Sequence, residues 1–236
     1  MKTTTKPVTI LFVHYGDNWI RGSEGCLLDL MSHLDTDRYR RLLWCNSQAL
    51  VEAAQALHIE VVRDDFPLLL GWQAPRLNMR GWSSLVSKGK QLVEQHQVDL
   101  IHANSAAPMQ WLNVVARLCQ RPLLTHLHAR YPARDRLTLG LHHSAMLVGV
   151  SQPVVDHVLH DGMPQERTRM IANGIDTQPL LAQPVVDLRA RLHTHPDDFL
   201  FATVGSLLHR TGLANILKAL NPRTRRGLPA HLAPIR

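Results

Sequence analysis

The sequence predicts an α/β domain in which a mainly parallel sheet lies between two layers of helices. Short apolar runs alternate with longer stretches of helical spacing along most of the chain. Several runs are apolar at consecutive positions, as in strands covered on both faces. The 236 residues are 45% hydrophobic and 19% charged, enough to bury a core and too apolar for global disorder.

The first strand is expected at 8–15, in "VTILFVHY". Further strands follow at 41–46, 58–64, 98–104, 122–128, 145–151, 169–174 and 199–205. Between them, helices are expected at about 23–34, 49–57, 83–96, 106–119, 152–161 and 212–220. In the first helix, Cys26, Leu27, Leu30, Met31 and Leu34 fall at helical spacing. In the fourth, Pro108 stands in the first turn, where its missing N–H costs little. Pro179, Pro184 and Pro196 then punctuate a linker around a short helix, before one more strand, turn and helix. The expected layout is a domain over 1–176, a linker over 177–198, the first βα unit of a second domain over 199–220, and a basic, disordered tail over 221–236.

The formal net charge of +7 would suit a polyanion partner. Four of those charges, Arg223, Arg225, Arg226 and Arg236, lie in the last fifteen residues, which carry no acid. The remainder is an ordinary balance, so nucleic acid is not expected as a partner. Cys26, Cys45 and Cys119 are odd in number and far apart, as for reduced thiols in the cytoplasm rather than a disulfide framework or zinc site. No apolar run approaches the roughly 20 residues that cross a bilayer.

In open α/β sheets, ligands bind beyond the carboxyl ends of the strands, and that rule selects the candidate residues. After the first strand come Gly22, Ser23 and Glu24, where backbone N–H groups at a helix start face any anion. After the fourth come His102, Asn104 and Ser105; after the fifth, Thr125, His126, His128 and Arg130; after the seventh, Asn173, Gly174 and Asp176. The last unit adds Gly205, Ser206, His209, Arg210 and Gly212. Each has a plainer explanation: Gly22 permits a tight turn, His102 and Asn104 tie loops together, and Asn173-Gly174 is a turn dipeptide. The histidines lack the accompanying Cys or acid of a metal centre, and no metal is expected.

Taken in order, "GSEGCLLDL", "VDLIHANS", "PLLTHLHA", "MLVGVSQPVVDHV", "RMIANGIDT" and "FATVGSLLHRTGLANILKAL" resemble the family 4 glycosyltransferases of GT-B fold. The resemblance runs from about residue 8 to 220. It implies the N-terminal, Rossmann-like half of a GT-B fold followed by an incomplete second domain. It also implies a retaining, metal-independent transfer of a hexose, with a nucleotide sugar as substrate and no cofactor. The acceptor would be a saccharide or lipid-linked molecule of the cell envelope or of a polysaccharide. His128 would be the catalytic residue beside the transferred sugar. Gly22, Ser23, Gly205, Ser206 and Arg210 would bind the donor, and Glu24, His102, Asn104 and His126 would lie on the acceptor side.

Two departures stand out. Only the second glycine of the family's Gly-Gly-x-Glu turn is kept, as Gly22 in Arg21-Gly22-Ser23-Glu24. The two diphosphate-binding cations are replaced by Ser206 and Thr211, with Arg210 adjacent. With the family's acidic donor motif not reached, the chain is expected to be truncated and inactive alone. The alternative is a non-catalytic acceptor-binding module, or a half-enzyme that pairs with a separate donor domain. The stretch 68–92 interleaves Trp72 and Trp82 with Arg76, Arg80, Lys88 and Lys90. It suits either a cytoplasmic protein peripheral to the inner membrane or a helix packed on the sheet.

Overall fold

The computed structural model describes residues 6–69, 77–195, 197, 199–203, 212–219 and 230–234. The chain divides into two compact units, Met1–Asp176 and Thr177–Arg236.

The first unit carries strands β1 (Val8–His14), β2 (Tyr39–Cys45), β3 (Glu60–Arg63), β4 (Leu100–Ala103), β5 (Leu123–Leu127), β6 (Met146–Gly149) and β7 (Thr168–Met170). They form one sheet in the order β3-β2-β1-β4-β5-β6-β7, and each pairing is parallel. Helices α1 (Gly22–His33), α2 (Gln48–Ala56), α3 (Met79–Gln95), α4 (Met109–Cys119), α5 (Ala133–Thr138) and α6 (Gln152–His160) connect them. The expected doubly wound, Rossmann-like architecture is the one observed.

Alternation along β1 builds the two cores. Ile10 and Phe12 face one side and pack with Leu27 and Met31 of α1 and Leu50 and Ala54 of α2. Leu11 and Val13 face the other and join Leu85 and Leu92 of α3, Trp111 and Val115 of α4, and Val154 of α6. The second core centres on Trp44, Phe66 and Trp111, whose rings meet edge to face with centroids 5.0–6.0 Å apart. Trp44 escapes the cost of a buried N–H by donating to Asp64 at 2.9 Å.

The boundaries that differ from expectation have local causes. Helix α3 begins at Met79 rather than 83 because the Asn78 side chain caps it, accepting from the Gly81 N–H at 2.8 Å. Its apolar face, Leu85, Leu92 and Val93, is buried, which is the packed-helix alternative for 68–92; Trp72 and Arg76 lie outside the described residues. Strand β7 stops at Met170, because β6 ends at Gly149, whose carbonyl accepts the Ile171 N–H. Helix α5 follows Pro132 and was not expected.

The second unit holds α7 (Gln178–Leu181), α8 (Leu188–Leu192), β8 (Phe199–Thr203), α9 (Leu213–Ala219) and β9 (Ala230–Pro234). Strand β9 pairs in parallel with β8. Strand β9 lies within the stretch 221–236 expected as a disordered tail, whose other residues lie outside the described ones. An unpaired strand edge is a template for any extended segment within reach, and here the chain's own continuation takes it. Pro234 sits at the strand's last position, where its missing donor is tolerated.

Two glycines test how tightly the layers meet. A Cβ on Gly149 would lie 2.8 Å from Val155 Cγ2 and 3.0 Å from Val154 Cγ1, whereas one on Gly25 of α1 would meet nothing within 4 Å. Gly149→Ala is expected to destabilise the protein by about 1–3 kcal/mol through overpacking. Gly25→Ala is expected to stabilise it by about 0.5–1 kcal/mol through helix propensity. Urea titrations should show midpoints moving in opposite directions.

Candidate active site at the carboxyl edge of the sheet

The site is organised around a residue the sequence reading passed over. His14 ends β1 and is 2% exposed. Its Nε2 lies 2.8 Å from Glu24 Oε1, a buried hydrogen bond between strand end and helix start. The other carboxylate oxygen, Oε2, accepts from the Arg21 N–H at 3.1 Å and from the Ser23 hydroxyl at 3.0 Å. Glu24 thus closes the N-terminus of α1 from inside the helix, where the positive end of the dipole favours an anion. Burial alone would raise the Glu24 carboxyl. The His14 hydrogen bond, the first-turn backbone, the His14 charge and the Ser23 hydroxyl outweigh it and hold Glu24 at about 2.

Gly16 makes room for this pair. A Cβ there would stand 2.7 Å from Glu24 Oε1 and 2.8 Å from His14 Nε2. The signal for both missed residues was present: a histidine on the last position of an apolar strand, then glycine two residues on.

The network continues through Asn104, which follows β4 and is fully buried. His14 Nδ1 lies 3.0 Å from the Asn104 carbonyl and 3.1 Å from its Nδ2. Asn104 Nδ2 donates to the Ser23 carbonyl at 3.1 Å, and Oδ1 lies 2.9 Å from His128 Nε2. One polar chain therefore joins the ends of β1, β4 and β5 to the first turn of α1.

Beside it stand the other two histidines. His126 and His128 project from the same side of β5, opposite Leu123 and Leu127, with ring centroids 4.3 Å apart. The His102 ring is 5.7 Å from that of His126 and 5.0 Å from Phe12. Among the described residues, His102 Nε2, His126 Nε2 and His128 Nδ1 are buried without a hydrogen-bond partner. Burial, then its histidine neighbours, push His102 down to about 3. Burial, then His126 and His14, push His128 down to about 4, and burial lowers His126. Among the described residues, no group of three His, Cys, Asp or Glu is placed to hold a metal ion.

The turn after His128 is anchored separately. The Tyr131 hydroxyl accepts from the Ala106 N–H at 3.4 Å, and its carbonyl accepts from Arg136 Nη1. Arg136 is itself buried and paired with Asp161, Nη2 to Oδ1 at 2.8 Å.

The structure thus gathers Ser23, Glu24, Asn104 and His128 in one network, with His102 and His126 stacked alongside. Gly22 is exposed at the helix start, while Glu24, His102 and Asn104 are buried behind it. Asn173, Gly174 and Asp176 are exposed beyond β7. Gly205, Ser206, His209, Arg210 and Thr211 lie outside the described residues.

A parallel sheet in the order 3-2-1-4-5-6-7 with a polar cluster at its carboxyl edge defines a Rossmann-like domain. The sequence profile of Glycosyltransferase Family 4 matches residues 20–179, and the chain belongs to that family. Comparison with the curated proteins gives no match. Among solved structures, HepE (Alr3699) of Anabaena in complex with UDP and glucose is similar, with a TM-score of 0.69 and 22% identity over 94% of this chain and 59% of that one. A glycosyltransferase from Rickettsia africae has a TM-score of 0.73 and 14% identity, covering 97% of this chain and 60% of that one. The lipopolysaccharide outer core galactosyltransferase WaaB in apo form has a TM-score of 0.64 and 10% identity, with coverage of 95% and 60%. These matches share the GT-B fold, and the chain spans about 60% of their length.

The buried histidines make stability pH-dependent in a definite direction. His102 titrates at about 3 when folded, below its ordinary 6.5. Below pH 6.5 the unfolded chain therefore binds the proton that the folded chain refuses, and stability falls as pH falls toward that value. Between pH 7 and pH 5, His102 alone should remove about 2 kcal/mol. His102→Phe, which keeps a ring against Phe12, should flatten this slope in urea titrations by that amount. An unchanged slope would contradict the burial argument.

Proposed function

We propose that this protein is a nucleotide-sugar-dependent glycosyltransferase whose first unit holds the acceptor side of the reaction. The observation that carries the reading is the shared amide of Asn104, which ties the first turn of α1 to His128 in a Family 4 chain. Structures of the similar HepE hold UDP and UDP-glucose, which supports a hexose bound to a nucleoside diphosphate as donor.

In this reading the acceptor hydroxyl oxygen bonds to the sugar's C1 as the bond from C1 to the diphosphate oxygen breaks. The hydroxyl proton leaves with the departing phosphate, and configuration at C1 is retained. The Gly22 and Ser23 N–H groups at the positive end of α1 face the diphosphate, so no metal or cofactor is required. His128 contacts the sugar and orients it against the acceptor, with His126 one alternation back. Glu24, His102 and Asn104 support the acceptor side from beneath. Gly205, Ser206 and Arg210 are assigned to the donor by the resemblance alone.

The acceptor is a saccharide or lipid-linked molecule of the cell envelope or of an exported polysaccharide, met in the cytoplasm or at the inner membrane surface. Among the described residues no helix is long and apolar enough to cross a membrane. Leu77 and Met79 are exposed beside Arg80 at the start of α3, which supports peripheral contact with an anionic surface.

The resemblance places most donor contacts in a second domain, and the chain covers about 60% of the matched structures. The chain alone is therefore expected to release no nucleotide from a panel of nucleotide sugars above buffer. Residues 1–204 fused to the donor domain of a relative should transfer sugar. In that fusion His128→Ala should lower kcat about 100-fold while leaving donor affinity nearly unchanged. His126→Ala should cost less. A fusion that transfers sugar equally well with both changes would overturn the site assignment. A fusion that binds saccharide without transfer would favour the acceptor-binding module instead.

A further inference from the structure

We propose that Asn104 is a positioning residue: held by His14 and the Ser23 carbonyl, its amide fixes His128 as the tautomer protonated on Nε2 and leaves Nδ1 as an acceptor only. The inference rests on the reading of His128 as the residue that meets the sugar.

The argument follows the direction of each hydrogen bond. Glu24 accepts only, so His14 Nε2–H must donate across the 2.8 Å contact. His14 Nδ1 then faces nothing but Asn104, its carbonyl at 3.0 Å and its Nδ2 at 3.1 Å. The Ser23 carbonyl, 3.1 Å from Asn104 Nδ2, is also acceptor-only. The amide nitrogen is therefore the end that points toward Ser23 and His14, and Oδ1 is the end that points toward His128. An amide oxygen accepts, so His128 Nε2 carries the hydrogen across 2.9 Å.

Neutral imidazole has one N–H and one lone pair, so the lone pair is on Nδ1. That nitrogen is buried and has no donor among the described residues. Leaving a buried acceptor unmade is costly, and the tautomer defines what would relieve it: a hydroxyl or N–H of a ligand, not a carbonyl or phosphate oxygen. Asn104 is fully buried, with both ends of its amide engaged, so it acts through His128 and not by touching a ligand.

The chemistry this predicts is selection for a donor group on the sugar or acceptor beside His128. A histidine in the opposite tautomer would present N–H and select an oxygen acceptor there. The preference is set before any ligand arrives, because the amide is held in place by the Ser23 carbonyl and His14.

The test is ring-nitrogen NMR on the full chain, ¹⁵N-labelled, with the His128 signals assigned by their loss in His128→Gln. At pH 7, without nucleotide sugar or acceptor, one neutral form is expected, with a protonated Nε2 and a bare Nδ1. Asn104→Leu removes the acceptor and should give both tautomers. Asn104→Asp keeps an oxygen facing Nε2. It should retain the Nε2–H form and raise the His128 titration midpoint by at least one pH unit, which also serves if Asn104→Leu does not fold. A wild-type His128 protonated on Nδ1, or present as a mixture, would overturn the proposal. So would an Asn104→Leu protein that keeps the single tautomer, or an Asn104→Asp protein with an unmoved midpoint. The measurement contains no substrate, so its failure is distinct from a failure of the fusion enzyme to transfer sugar.

Discussion

The pairing of His14 with Glu24 is the interaction on which the site depends. Each group would be costly to bury alone. Together they are buried at the point where β1 gives way to α1, with the backbone of Gly16 passing close above them. The pair does more than satisfy two buried polar groups. Glu24 spends its second oxygen on the Arg21 N–H and the Ser23 hydroxyl, which fixes the first turn of α1. His14 spends its second nitrogen on Asn104, which carries the constraint to His128. A loop that would otherwise be free at the sheet edge is thereby tied to three strands.

The histidine row adds a cost that packing does not explain. A wholly apolar sheet face would be cheaper than three buried rings with unpartnered nitrogens. Their folded forms are kept neutral by burial, which links stability to pH over the range where His102 and His128 are held below their ordinary value. In the aromatic core on the opposite side, around Trp44, Phe66 and Trp111, the Trp44 N–H is satisfied by Asp64, and among the described residues only the Trp111 N–H lacks a partner. Strain of this kind collects where function needs it. Here it collects at the carboxyl edge, where an open parallel sheet binds its ligand.

Much of the architecture was legible in the sequence because parallel strands buried on both faces are written as uninterrupted apolar runs, as in "VTILFV" and "MLVGV". Caps were legible less often: Asn78 starts α3, yet Arg80 and Gly81 interrupt its first turn and its buried face begins only at Leu85. Strand β9 was not legible, since "AHLAP" between prolines has no strand pattern of its own and is ordered by the free edge of β8. At the site, strand ends and order of motifs singled out Glu24, Asn104, His126 and His128. They did not single out His14 or Gly16: the histidine at the strand's end and the glycine after it stand in the sequence, but the contacts that give each its role are made only by the turn geometry. Nor could they show that Glu24, His102 and Asn104 lie beneath the surface while Gly22 lies on it.

The central claim is that His14 and Glu24 act as one unit, and a double-mutant cycle tests it most directly. His14→Phe leaves a buried carboxylate unpaired, and Glu24→Leu leaves the imidazole without its acceptor. Each should cost about 3–5 kcal/mol in urea unfolding. The double variant replaces the pair by apolar groups and should cost well under the sum, with a coupling of at least about 2 kcal/mol. Losses that simply add, to within about 0.5 kcal/mol, would show that the two residues are independent and that the site is held some other way.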